Sequence, residues 1–332
     1  MNDVLLSIII PIYNTQDTII QLADNLKKLN FDDIEIVFVN DGSTDDSMKV
    51  LRYNFKDLHS NFKYKFLNKC NGGLSDARNF GLNNSNGKFV WFIDSDDLID
   101  IKSVKIIYEF LSTHQTCDLL LFSYRLFESY SEINHTIDTD NGEFHYTNSE
   151  KLLTKLFLRQ LDNYSWSFIA CKSLYVQNNI QFPKGRNFED YATTYKVFSK
   201  SKKPVVFSRI TYFYRYRKES IVHSSVKLVG NAKDILFHSK VILKDLDNSL
   251  LARQFVFSFL LYAVNSLQQS RTNTSTRLVM VIDKKIRAFH TSDFPLKKKL
   301  IIISYRCSLY KIIKKWKLKN ILLTTIDCFK HN

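Results

Sequence analysis

An α/β fold, with a mostly parallel sheet flanked by helices and a helical region behind it, is what this 332-residue chain predicts. Three observations carry the prediction. Short apolar runs at Leu5–Ile12, Ile34–Val39 and Phe89–Ile93 have the length and branched composition of buried strands. Segments of helical periodicity separate those runs. Beyond about residue 225 the pattern turns mostly helical.

The elements follow in order. Leu5–Ile12 predicts the first strand, with Pro11 near its end removing a donor and helping to stop pairing. Thr15 is placed to cap a helix in which Ile19, Leu22, Ala23, Leu26 and Leu29 fall at helical spacing. Ile34–Val39 predicts the second strand; Ser43, Thr44 and Asp45 then offer capping oxygens to a helix through Met48 and Leu51. Phe62–Leu67 predicts a third strand, and Gly72-Gly73 breaks the chain before a helix from about Leu74 to Leu82. Phe89–Ile93 predicts the fourth strand, Ile101–Leu111 a helix and Leu119–Phe122 a further strand. This alternation implies parallel strands joined by right-handed crossovers. After Tyr124 the pattern changes. Asp140-Asn141-Gly142 predicts a hairpin turn between Thr136–Ile137 and Phe144–Tyr146, Ser149–Leu161 an amphipathic helix, and Val205–Tyr216 a strand. The expected division is residues 1–125, 126–225 and a helical region 226–332.

Composition narrows the class. A hydrophobic share of 45% argues for a globular protein and against disorder. The five cysteines are odd in number and lack C-x-x-C spacing, which predicts reduced thiols and no structural zinc. The start Met1-Asn2-Asp3 lacks the basic and small-residue pattern of a signal peptide. No run of ~18 uninterrupted apolar residues occurs, so no spanning helix is expected; Phe255–Val264 suits a buried core helix. A cytoplasmic protein is therefore expected.

Acidic residues stand where the strands end. Asp41 closes the second run, Asp94-Ser95-Asp96-Asp97 the fourth, and Glu189-Asp190 lies far downstream. The carboxyl edge of an open α/β sheet is where ligands bind. Crowded carboxylates repel unless a cation or donors offset them. The Asp94-x-Asp96 step can hold a hard divalent ion, Mg²⁺ or Mn²⁺, with a substrate diphosphate completing the shell. Asn71-Gly72-Gly73 precedes a helix, so its backbone N–H groups favour an anion, although a Gly pair is also a plain turn. Arg215 and Arg217 alternate with Tyr214 and Tyr216, share one face of a strand, and suit a diphosphate. Ser220 and His223 follow on an expected loop, where His223 either reaches the metal or phosphate or is solvated. Helix capping is expected of Asp97 and Asp100. Trp166 is read as core, with stacking on an acceptor sugar as the alternative.

Four segments in order resemble the family-two glycosyltransferases with a GT-A fold: Ser7–Asn14, Val39–Asp45, Asn71–Asn79 and Phe92–Asp97. Phe188-Glu189-Asp190 and Tyr214–Arg217 resemble bacterial members that make surface polysaccharides. The match spans roughly residues 5–225. The resemblance implies a Rossmann-like nucleotide-binding sheet and a metal-dependent, inverting transfer. A sugar would move from a nucleotide-diphosphate sugar, most naturally a UDP-sugar, to a hydroxyl of a glycan, lipid-linked at the cytoplasmic membrane face. It implies that Asp41 accepts from the base's ring N–H, with Pro11, Tyr13 and Asn14 lining the base pocket. Asp94, with Ser95, would contact the ribose, and Asp96 would bind the metal. Asn71, Gly72 and Arg78 would face the diphosphate or sugar, with a surface pair to Asp76 the alternative for Arg78. Asp190 would be the general base. Glu189 would point elsewhere if the pair opens a helix.

Charge is concentrated at the end of the chain. The net charge is +14, and residues 296–332 hold ten Lys or Arg against Asp327 alone. On a helical projection Ile302, Tyr305, Leu309, Ile312, Ile313 and Trp316 fall on one arc, with lysines over the rest. That pattern over 296–320 fits an anionic membrane surface, or a terminal helix docked on the protein. Three rivals remain beside the transferase: a sugar nucleotidyltransferase, a non-catalytic nucleotide-sugar or glycan binder, and a nucleic-acid binder. The first expects Lys or Arg after strand one, where Tyr13–Asp17 has neither. Retention of all the acidic clusters opposes the second, and no recognition motif supports nucleic acid as a partner.

Overall fold

The computed structural model describes residues 4–56, 62–134, 141–216, 228–268 and 272–307. The chain forms two compact units, Met1–Leu156 with Leu161–Lys218, and Phe157–Gln160 with Glu219–Asn332.

The first unit is built on a nine-stranded sheet. Its strands are β1 (Leu6–Ile12), β2 (Ile34–Asp41), β3 (Lys63–Lys69), β4 (Phe89–Phe92), β5 (Leu98–Ile99), β6 (Leu119–Phe127), β7 (Phe144–Tyr146), β8 (Phe168–Cys171) and β9 (Pro204–Arg215). The order is β3-β2-β1-β4-β8-β6-β9-β5, with β7 beside β9. β1 to β4 are parallel, as the alternation predicts. Every residue of β1 is buried, which explains its lack of polar alternation. Beyond β4 the sheet is mixed: β8 runs antiparallel to both β4 and β6, while β6 and β9 are parallel. The four-residue β8 has no separate signal in the sequence, yet it joins the two halves of the sheet.

The first unit's helices are α1 (Ile19–Leu26), α2 (Ser47–Phe55), α3 (Leu74–Asn83), α4 (Ile101–Thr113), α5 (Tyr130–Asn134), α6 (Ser149–Phe157), α7 (Lys172–Gln177) and α8 (Glu189–Lys200). Local details differ from expectation. Pairing of β1 with β2 continues through Pro11 to Ile12, so Pro11 does not stop it. Thr15 does not cap α1, which begins after Thr18; its N–H instead donates to Ser47 Oγ at 2.7 Å. Asp45 accepts from the N–H of Ser47 at 3.0 Å at the start of α2. Asp100 caps α4 by accepting from Ser103 N–H at 3.1 Å, whereas Asp97 caps nothing. The strand Phe144–Tyr146 pairs with β9, and residues 135–140, including Asp140 of the expected hairpin, lie outside the described residues.

The second unit contains α9 (Leu228–Asp245), α10 (Leu250–Leu267), α11 (Asn273–Arg287) and α12 (Leu296–Arg306). α10 is by length and composition sufficient to cross a bilayer, but 61% of it is buried. Phe255, Phe257, Leu260 and Val264 of α10 form this unit's core, and Phe257 meets Phe294 with ring centroids 4.9 Å apart. α12 turns Ile301, Ile302 and Tyr305 into the interior. Ile302 and Tyr305, expected on a membrane-facing arc, are therefore docked core residues; the arc's remaining members, Leu309 to Trp316, lie outside the described residues.

Candidate active site

The carboxyl ends of β1, β2 and β4 place their loops side by side, because the three strands are in parallel register. The loops after β1 and β2 are laced together. Asn14 sits at φ 51° and its Oδ1 accepts from Thr44 N–H at 2.8 Å. Gln16 N–H donates to Asp45 at 3.1 Å. Tyr13 projects beside them, 51% exposed, while Pro11 is buried within β1. An open tyrosine over a rigid loop is what an aromatic base needs on one side.

Asp41 is turned onto the loop after β3. Its two carboxylate oxygens accept from Gly72 N–H at 2.9 Å and Gly73 N–H at 2.8 Å, and Lys69 pairs with it. Asn71 Nδ2 donates to the Asp41 carbonyl at 2.9 Å. Gly42 stands at φ +71°, and a Cβ there would lie 2.8 Å from the Asn71 nitrogen. Glycine is thus required where these loops meet. Lys69 also pairs with Asp76 at 2.7 Å, and Asp76 with Lys184. Asp76 is therefore not the partner of Arg78.

Arg78 on α3 is 1% exposed and gathers three acids from two separate segments. Its Nη2 donates to Asp94 at 2.8 Å; its Nη1 donates to Glu189 at 2.7 Å and to Asp190 at 3.2 Å. Glu189 and Asp190 open α8, and both face the guanidinium, so Glu189 does not point elsewhere. Phe188, in a left-handed conformation at φ 58°, sets that first turn. Burial, and then the charge of Glu189, raise the Asp190 carboxyl to about 7, against the opposing pull of Arg78.

Asp97 accepts from the Tyr212 hydroxyl at 2.7 Å and from Arg215 N–H at 2.7 Å. Burial first, then the charges of Asp96 and Asp94, push its carboxyl well above the usual range. Ser95 is buried and Asp96 half-buried. Arg215 Nε donates to the Asp96 carbonyl at 2.7 Å, and its Nη2 donates to Gln21. Arg215 thus pins the loop that carries Asp96. Arg217, Ser220 and His223 lie outside the described residues. Trp166 is core: it is 2% exposed and sandwiched between Tyr164 and Tyr212 at 4.6 Å and 4.4 Å.

Sequence reasoning missed Arg78 as the hub and Tyr212 as the anchor of Asp97. Tyr212 alternates with Tyr214 in a predicted strand, but only the pairing of Ile99 with Tyr212 brings it to the acidic loop. Among the described residues, no group of three His, Cys, Asp or Glu side chains is arranged to hold a metal by itself.

Acids gathered on one buried arginine beyond the carboxyl end of a parallel strand mark the ligand site of this α/β sheet. The sequence profile of glycosyl transferase family 2 matches residues 7–176, and the chain belongs to that family. Glycosyltransferase GlyG of Streptococcus pneumoniae serotype 4 is 26% identical over 274 residues, covering 76% of this chain and 85% of GlyG. Poly(ribitol-phosphate) β-N-acetylglucosaminyltransferase TarS of Staphylococcus aureus is 30% identical over 64% of this chain; the aligned part is 36% of TarS. The crystal structure of S. aureus TarS 1–349 in complex with UDP-GlcNAc shares the fold, with a TM-score of 0.72 at 20% identity over 94% of this chain and 90% of that one. Mannosyltransferase PcManGT from Pyrobaculum calidifontis, in complex with GDP-Man and Mn²⁺, aligns with a TM-score of 0.55 at 15% identity over 98% of this chain and 87% of that one. The protein is a glycosyltransferase with a GT-A fold.

Proposed function

We propose that this enzyme moves a sugar, with inversion, from a nucleotide-diphosphate sugar to a glycan hydroxyl, and that the donor is a UDP-sugar. The observation that carries this is Arg78, whose one guanidinium holds Asp94, Glu189 and Asp190 at a single point. Residues 1–125 would hold the donor and residues 126–225 the acceptor side. The base would lie by Tyr13 and Asn14 with its ring N–H toward Asp41, and Asp94 with Ser95 would meet the ribose. UDP-GlcNAc in the TarS structure supports the donor class.

The acceptor hydroxyl attacks the anomeric carbon from the face opposite the diphosphate. The new C–O bond forms as the bond to the phosphate oxygen breaks, and the proton passes to the Asp190 carboxylate. One base suffices, because no covalent sugar–enzyme intermediate forms. Glu189 takes the shorter contact to Arg78, which leaves Asp190 the less tightly held carboxylate. Arg215 and Arg217 would offset the charge left on the departing diphosphate, whereas Gly72 N–H is already taken by Asp41.

The crowding of Asp94, Asp96 and Asp97 is the situation a hard cation relieves. Mg²⁺ or Mn²⁺ is commonly bound by one or two carboxylates plus substrate phosphates, a donor set that the Asp94-Ser95-Asp96 step with a bound diphosphate would supply. Asp96 would hold it, with His223 the candidate second ligand, and the ion would supply Lewis-acid stabilisation of the diphosphate. Asp96→Ala is expected to keep its fold and lose metal-dependent UDP binding. Calorimetry with UDP, with and without Mn²⁺, checks this; unchanged metal dependence would remove Asp96 from the site.

A second reading concerns location. On α12, Leu296, Leu300 and Ile303 are 71%, 46% and 44% exposed. They recur at helical spacing beside Lys297 and Lys299, opposite the docked Ile301 and Ile302. This exposed stripe, rather than the arc through Ile302 and Tyr305, would rest on the anionic inner face of the cell membrane and bring the enzyme to a lipid-linked acceptor. Each lysine near such a surface adds roughly 1 kcal/mol. Leu300→Asp with Ile303→Asp should abolish flotation with anionic vesicles at low salt and leave the circular dichroism unchanged. Flotation equal to wild type would exclude the stripe.

A further inference from the structure

From the ring stack beside the acids we infer that Tyr164 and Tyr214 form the platform on which a pyranose ring of the acceptor lies; this rests on the glycosyltransferase reading of the same site. Tyr212, Trp166 and Tyr164 stack in that order, with interplanar angles of 7° and 9°. The inner end of the stack is fixed to the acidic loop. Tyr212 O–H donates to Asp97 at 2.7 Å and accepts from Asp94 N–H at 3.1 Å. The outer end is tied to the helix of the base: Thr194 Oγ1 donates to the carbonyl of Asn163, next to Tyr164, at 2.6 Å. Thr194 stands four residues after Asp190, on the same face of α8. The stack therefore bridges the donor-side and base-side acids.

Its inner members, Trp166 and Tyr212, are buried, so neither offers a face to a ligand. Tyr164 and Tyr214 are half-buried, with ring centroids 5.9 Å apart at 31°, and Tyr214 leans on Trp166 at 5.1 Å. Two tilted rings on a rigid support match the apolar C–H face of a pyranose, at low entropic cost to the protein. Polar selection is available at the rim, where Asp162 accepts from Tyr124 O–H at 2.6 Å. A carboxylate retains acceptor capacity for sugar hydroxyls after one such bond.

The test is sugar transfer from a panel of UDP-sugars with Mn²⁺ to p-nitrophenyl hexosides. Tyr164→Ala and Tyr214→Ala are expected to raise the acceptor KM by about tenfold each, the loss of one stacked ring. The donor KM should stay at its wild-type value, and Tyr164→Phe should restore the acceptor KM, because the ring and not the hydroxyl is used. An unchanged acceptor KM in both alanine variants overturns the platform alone. Parallel rises in donor and acceptor KM, unrelieved in Tyr164→Phe, also overturn it and make the stack a strut. A wild-type protein that transfers to no hexoside overturns the donor and base assignments, and the platform with them.

Discussion

Arg78→Ala is expected to destabilise the protein by about 3–5 kcal/mol, because removing one partner of a buried ionic cluster strands the others. Three carboxylates, Asp94, Glu189 and Asp190, would lose their common cation within a site where Arg78 is 1% exposed. Arg78→Lys should recover only part of the loss. A single ammonium cannot present two nitrogens to acids on different segments, as the guanidinium fork does. Urea unfolding at neutral pH measures both variants, and a midpoint within error of wild type for Arg78→Ala would contradict the hub. The pH dependence has a defined sign. Asp190 is raised to about 7 in the folded protein, so its contribution to stability is present at low pH and lost as pH rises through that value. Removing Arg78 takes away the charge that opposes this rise. The variant's deficit should therefore shrink on acidification.

Asp190→Asn is expected to lower kcat by at least ~10²-fold, the usual contribution of a positioned base. The amide keeps the size of the side chain and can still accept from Arg78 through its oxygen, so UDP affinity should stay close to wild type. Glu189→Gln should cost less in turnover, since Glu189 acts by holding Arg78 at 2.7 Å. Steady-state kinetics with UDP binding as the control separates the two. Near-wild-type turnover in Asp190→Asn with an inactive Glu189→Gln would move the base to Glu189.

Of the donor-side strands, β1, β2 and β4 were legible because each is a nearly continuous apolar run buried on both faces, whereas the less buried β3 was legible from its alternation. Acids immediately after such runs belong at the sheet edge, which is how Asp41, Asp94 and Asp96 could be selected. Less was legible where contacts join distant segments. Arg78 meets Glu189 across 111 residues, and no local period announces that pairing. The same holds for Tyr212 and Asp97, which are 115 residues apart. β8 was invisible because four apolar residues do not differ from a fragment of helix. On α12 the period was read correctly, but amphipathicity alone does not say which apolar stripe is covered. Ile302 docks while Leu300 and Ile303 stay exposed.

The most direct test of the central claim, that Asp190 beside Arg78 and Glu189 is the base of sugar transfer, is the pH profile of kcat/KM from about pH 5 to about pH 9, which reports ionisations of the free enzyme. Wild type should rise tenfold per pH unit at the acid end and level off above about 7, where burial and Glu189 place the Asp190 carboxyl. The residual activity of Asp190→Asn should lack that inflection. A wild-type profile flat down to about pH 5, or the same inflection retained in Asp190→Asn, would contradict the account.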